Sequence, residues 1–142
     1  MDRKVALEIG SSCFVLGLRR AGRRVSRIYD EALRPAGLSN GQFSLLTILV
    51  ALGGGSVGEI ADRLGVDRTT LNATLKPLER DGLVQSEADP RDGRIRRLSL
   101  TDRGRERLTE AEPLWRAAQA KIAAQLEADS AHQLRSSLRA IG

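Results

Sequence analysis

The sequence predicts a mainly α-helical fold with one small β-hairpin, and three observations carry that expectation. Apolar residues recur at steps of three and four over most of the chain, which is the period of a helix face. Residues able to cap helices stand ahead of several of those runs. Only two short stretches between residues 83 and 100 break the helical period, and the loop joining them has turn chemistry.

The elements follow in order. Phe14, Leu18, Ala21, Val25, Ile28 and Ala32 form one stripe, so a long helix is expected from about Glu8 to Leu33. Arg34-Pro35 ends it, because a residue before proline disfavours the helical region. Ser39 to Leu52 is largely apolar in its second half and reads as a buried helix, broken by Gly53-Gly54-Gly55. Ser56 with Glu59 three residues later makes a capping box for a short helix that stops at Gly65. Asp67 can cap the next helix, striped by Leu71, Leu75 and Leu78 and ending near Asp81-Gly82. Pro77 inside it removes one backbone hydrogen bond, so a bend is expected there and not a break into two helices. Leu83 to Glu87 and Ile95 to Leu100 are the hairpin strands. Thr101 can cap a long helix over residues 102–126, with a kink expected at Pro113, and Ser130 to Ile141 closes the chain.

At 142 residues this is one domain's worth of chain. The formal net charge of +5 suits a polyanionic partner, and the excess is local: residues 1–34 carry 8 basic and 4 acidic groups, whereas residues 35–62 carry no basic and 2 acidic ones. The single cysteine, Cys13, excludes an intramolecular disulfide and a cysteine-based zinc cluster. The lone His132 has no second histidine to share a metal, and no nucleophile or phosphate-loop motif is present, so neither catalysis nor a cofactor nor a metal is expected. The start of the chain lacks the apolar core of a signal peptide and no window approaches the ~18 apolar residues of a membrane span, so a cytoplasmic protein is expected.

Between Ser56 and Asp81 a short capped helix, a tight turn and a second helix follow one another. The second buries leucines and turns Arg68, Thr69, Thr70, Asn72, Ala73 and Lys76 outward. That is the layout of a helix-turn-helix whose second helix enters a DNA major groove, where arginine reads guanine, asparagine reads adenine, and threonine and alanine methyls meet thymine. Arg91, Arg94, Arg96 and Arg97 with Asp92 make the hairpin a positive wing beside it, suited to a narrow minor groove. The plainer rivals are an ordinary amphipathic surface helix over 67–81, a solvated turn for the wing arginines, and phosphate contact alone for Arg68 and Lys76. A further run, Arg19, Arg20, Arg23, Arg24 and Arg27, reads as a solvated helix face, with an anionic effector as the alternative.

The stretch from Gly37 to Leu108, and above all DPRDGRIRRLSLTDRG, resembles the MarR (multiple antibiotic resistance regulator) family of transcription factors. The resemblance implies a single MarR-type domain over residues 1–142, a winged helix-turn-helix with a two-stranded β wing over 39–100, and N- and C-terminal helices, 8–33 and 102–142, forming a dimerisation region. It implies Arg94 as the minor-groove arginine of the wing tip, with Asp92 holding the wing arginines. It further implies a homodimeric repressor on a pseudo-palindromic duplex, released by a small aromatic or phenolic effector. Terminal helices with uncovered apolar stripes argue for the dimer independently. Cys13 stands where hydroperoxide-sensing relatives keep a reactive cysteine, which leaves open a redox-sensing repressor. Gly17 and Asn40, however, occupy places where such relatives have tyrosines, and Tyr29 is the only tyrosine. A protein-interaction or architectural module that uses its basic wing non-specifically is the third reading left open.

Overall fold

A computed structural model describes residues 1–126 and 130–141. The chain runs α1 (Arg3–Ser12), α2 (Phe14–Leu33), a 3-10 turn (Arg34–Ala36), α3 (Asn40–Leu52), β1 (Gly55–Ser56), α4 (Val57–Leu64), α5 (Arg68–Arg80), β2 (Val84–Ala88), β3 (Arg96–Leu100), α6 (Asp102–Ala123) and α7 (Ser130–Ile141). The expected fold class holds: a helical chain with a β wing. Residues 127–129 and 142 of the expected dimerisation segment 102–142 lie outside the described residues.

Three expectations are corrected. The helix from 8 to 33 is two helices, α1 and α2, meeting at Cys13, whose backbone is extended at φ −68° and ψ 115°. The cause is local: the Ser11 and Ser12 hydroxyls both donate to the Glu8 carbonyl, at 3.0 and 2.7 Å, and such back-bonding competes with the helix ladder. The helix assigned to 102–126 stops at Ala123. The wing strands each begin one residue later than expected, and the short β1 adds a third strand, giving the antiparallel order β1-β3-β2.

The other boundaries follow from their caps. Ser39 with Gln42, and Ser56 with Glu59, make complete capping boxes, and the Asp67 carboxylate accepts the Thr70 N–H at 2.7 Å. Gly65 closes α4 at φ +64°, a conformation that costs a residue with a Cβ but suits the tight turn into α5. One helix runs through Pro77 to Arg80, and another through Pro113 to Ala123.

The core gathers Leu45, Leu46 and Leu49 of α3, Ile60 of α4, Leu71, Leu75 and Leu78 of α5, and Leu98 of β3, none more than 1% exposed. Each such side chain gains about 1.5–3 kcal/mol on leaving water. Beyond this core the apolar faces lack cover: Phe14 is 83% exposed and Ile141 73%, and Leu18, Leu134 and Leu138 are also exposed. No single helix among the described residues is long and apolar enough to cross a membrane.

The wing, α5 and α6 meet at one joint. The Thr101 backbone N–H donates to the Leu83 carbonyl at 3.1 Å, its hydroxyl donates to the Gly82 carbonyl at 2.7 Å, and that hydroxyl oxygen accepts the Gly104 N–H at 3.0 Å. Gly104 is buried there, and a Cβ on it would collide with the Leu83 carbonyl and lie 2.8 Å from Leu100 Cδ1. Gly104→Ala is therefore expected to destabilise the fold by about 1–3 kcal/mol, as overpacking does, measured by urea denaturation. A stability equal to that of the parent would mean that α6 can lift off the wing base without cost.

Candidate nucleic-acid interface

The site is built on α5, whose leucine stripe faces the core and leaves the opposite side to solvent. Arg68, Thr69, Thr70, Ala73 and Lys76 are exposed there, and Asn72 beside them is half-buried. The exposed side has two flanks. On one, Arg68 and Asn72 share a cleft of about 370 Å³ with Arg94, Ile95 and Arg96 of the wing and with Ser56, Val57 and Gly58 at the start of α4. On the other, Thr69, Thr70 and Ala73 face Ser39 and Gln42 at the start of α3, with Thr74 and Pro77. The two flanks end at the first turns of α4 and α3, where Ser56 with Glu59, and Ser39 with Gln42 and Asp30, already take up several of the helix-end N–H groups.

Four of the residues expected from the sequence therefore converge in one cleft: Arg68, Asn72, Arg94 and Arg96. Arg68 does not stand free on the helix, since one of its guanidinium nitrogens lies against Gly58, 3.3 Å from where a Cβ would be. This close approach lays the guanidinium over the first turn of α4. Arg91 and Asp92 belong to the wing tip and do not line the cleft.

The wing arginines are held by three carboxylates. Asp92 accepts from Arg94 Nε at 3.1 Å and from its Nη2 at 3.3 Å, yet the Arg94 side chain remains 92% exposed, so the pair aims the guanidinium without covering it. Arg96 turns back across the wing, donating to Glu79 of α5 at 2.6 Å and to the Ser86 hydroxyl at 2.9 Å. Arg97 donates to Asp89 at 3.3 Å. Asp89 also accepts the N–H groups of Arg91 and Asp92 at 2.8 and 3.3 Å, which folds the tip into its turn. Sequence reasoning missed Asp89 and Glu79. The Asp-Pro start of the loop was a turn signal that could have singled out Asp89, whereas the pairing of Glu79 with Arg96 crosses 17 residues and left no local mark.

These bonds shift titrations downward. The Arg91 N–H, above other contributions, holds the Asp89 carboxyl below its usual range; for Asp92 the Arg94 side chain dominates, and for Asp67 the Thr70 N–H. A folded value below the unfolded one adds stability that is present above the unfolded value, about 3.9 for aspartate, and is lost as acid takes the pH through the folded value.

Two features lie apart from this face. Between α3 and α6 a cavity of about 670 Å³ is lined by Phe43, Ile48, Val50, Leu108 and Trp115, with Arg105, Glu112 and Arg116. The Phe43 and Trp115 rings stack at 6.3 Å, and Arg116 is tied to Glu112 at 2.6 Å. Cys13 is half-buried at the break between α1 and α2. No group of three histidine, cysteine or acidic side chains among the described residues could hold a metal ion.

The chain is similar to known proteins. The MarR family model matches residues 38–95. The transcriptional repressor Rv2887 of Mycobacterium tuberculosis is 33% identical over 125 residues, covering 88% of this chain and 90% of that protein. Among solved structures, the M. tuberculosis regulator MosR in complex with DNA is similar at a TM-score of 0.81 and 39% identity, over 92% of this chain and 93% of that one. The repressor CouR bound to a 23-mer DNA duplex is similar at a TM-score of 0.83 and 34% identity, over 94% of each chain.

Asp89→Ala removes three bonds at the wing tip without touching the core. It is expected to weaken duplex binding about tenfold or more with little change in melting temperature, and Asp89→Asn, which keeps one acceptor oxygen, should fall between. Affinities for all three measured by fluorescence anisotropy decide this; an alanine variant that binds like the parent would mean that the tip folds without Asp89.

Proposed function

The chain belongs to the MarR family of DNA-binding transcriptional regulators, and on that premise we propose that it is a homodimeric repressor whose hold on a pseudo-palindromic operator is broken by a small aromatic or phenolic acid. The observation that carries the DNA contact is the cleft in which Arg68 and Asn72 of α5 meet Arg94 and Arg96 of the wing, beside the exposed Thr69, Thr70 and Ala73. In this reading Asn72, Thr69, Thr70 and Ala73 meet base edges in the major groove. Arg68 and Lys76 meet phosphate, and Arg94, supported by Asp92 and flanked by Arg91, enters the minor groove. Arg96 acts chiefly by fixing the wing against α5 through Glu79.

Residues 39–100 form the DNA-binding region, and 8–33 with 102–142 the dimerisation region. The uncovered Phe14, Leu18, Leu134, Leu138 and Ile141 support a second copy packing there. Two-fold symmetry then spaces two α5 helices about one turn of DNA, ~34 Å, apart.

The cavity between α3 and α6 supports the effector reading. Its stacked Phe43 and Trp115 offer a flat apolar slot, and Arg105 stands at its edge while Arg116 is already paired. That combination suits an aromatic ring bearing a carboxylate. Because the same cavity joins the dimerisation helix α6 to α3 of the DNA-binding region, occupancy shifts the population toward a spacing of recognition helices that misfits the operator. A redox-sensing repressor is the alternative, supported by Cys13 at the helix break.

A duplex selected from a random library is expected to be pseudo-palindromic, and Arg94→Ala to bind it about tenfold or more weakly. Titrated with aromatic carboxylates, the parent and Cys13→Ser should release it alike, with quenching of Trp115. Release by hydroperoxide alone, abolished by Cys13→Ser, would replace the ligand reading with the redox one. Unchanged affinity in Arg94→Ala would remove the wing from the interface.

A further inference from the structure

Helix α2 carries a second basic surface, separate from α5 and the wing. Arg19, Arg20, Arg23, Arg24 and Arg27 are all exposed, and at ~100° per residue they share one side of the helix, opposite the stripe of Phe14, Leu18, Ala21, Val25, Ile28 and Ala32. The stripe side is where α2 meets α6, since Tyr29 donates to Gln119 at 2.6 Å and Ile28 and Ala32 share a cleft with Ala117 and Ala118. The arginine side faces away from that contact.

Its charge is unpaired, with the exposed Glu31 at its C-terminal end the one acid on the same side of α2 not otherwise bonded. None of the five arginines forms an ion pair among the described residues, although arginines 80, 94, 96, 97, 107 and 116 all do. No acid lies on α2 before Asp30 and Glu31, and Asp30 is engaged by the Asn40 N–H at 2.7 Å. The packed helix α1 with its N-cap brings Asp2 and Glu8 but also Arg3 and Lys4, so it adds no net negative charge. Arginines three and four apart on a helix repel one another, and a surface helix held only by solvent ordinarily mixes its signs.

We propose that this arginine face of α2 is a second nucleic-acid site, taking duplex DNA other than the segment held by α5 and the wing; the proposal rests on the DNA-binding reading above. Two features favour a duplex over an acidic protein. The five charges span about 12 Å of helix at ~1.5 Å per residue, and a duplex presents about seven phosphates over that length, at one per ~1.7 Å. The face also lacks an exposed aromatic or large apolar side chain between its arginines, and so lacks the buried anchor on which protein interfaces depend. Arginine forks match phosphate oxygens directly. A dimer would carry two such faces, letting one protein bridge two DNA segments.

The test uses the full chain bound to an immobilised operator duplex and offered a second, labelled duplex of random sequence at several salt concentrations. The parent is expected to capture the second duplex at low salt and lose it as salt rises. A variant with all five arginines changed to glutamine should bind the operator within about twofold of the parent and capture at least tenfold less of the second duplex. Changing the same five to lysine should restore most of the capture, which separates charge from any damage to the fold. No capture by the parent, equal capture by the glutamine variant, or capture abolished by poly-glutamate at charge concentrations where random duplex competitor has no effect would overturn the proposal. Failure of the parent to bind the operator at all would instead overturn the reading of α5 and the wing.

Discussion

The outward face of α5, on which the rest of the candidate site is assembled, depends on the burial of three leucines. Leu71, Leu75 and Leu78 lie on one side of α5 and are sealed against α3, α4 and β2, so the helix cannot rotate without exposing them. A rotation that brought even one of them into water would forgo about 1.5–3 kcal/mol. With that side fixed, the identity of the outward side chains is fixed too, and Thr69, Thr70, Asn72, Ala73 and Lys76 have no alternative direction. The Asp67 cap sets where the helix starts, and hence how far Arg68 reaches over α4.

The wing is positioned by different physics. Its base is anchored by the buried Val84, Leu98 and Leu100, but its outer half buries little, so the shape there comes from carboxylates that each hold an arginine or a turn N–H: Asp89 at the tip, Asp92 beneath Arg94, and Glu79 reaching across from α5 to Arg96. Such exposed pairs contribute little to global stability. Their effect is conformational, because they limit the orientations of guanidinium groups that would otherwise sample many. At the base, Thr101 and Gly104 lock the hairpin to α6. A change in the seating of α6, whether from a ligand beside Trp115 or from a second copy on the terminal helices, therefore has a short physical route to the wing.

Much of this was readable in the sequence wherever the cause was local. Capping boxes at Ser56 and Glu59, the cap at Asp67, the glycine at 65 and the leucine period located the helix-turn-helix, and the Asp-Pro-Arg-Asp-Gly-Arg loop located the wing. Two kinds of feature were hidden. The break at Cys13 depends on which way the Ser11 and Ser12 hydroxyls turn, a choice that apolar periodicity does not record. The ties that orient the site, Glu79 to Arg96 and the first turn of α4 to Arg68, join residues brought close only by the fold. The strand β1 was hidden likewise, since the last glycine of a run and the serine after it carry no alternation of their own.

The most direct measurement is fluorescence anisotropy of the protein against labelled duplexes from its own upstream intergenic region and against scrambled controls, over a range of salt. A sequence reader built on α5 and the wing should prefer a native duplex by at least ~10³, the lower end for specific binders. Its log affinity should fall with log salt by about 0.9 for each phosphate neutralised. Equal affinity for native and scrambled duplexes, together with failure to enrich any sequence from a random library, would contradict the account, leaving a basic surface that holds DNA without reading it.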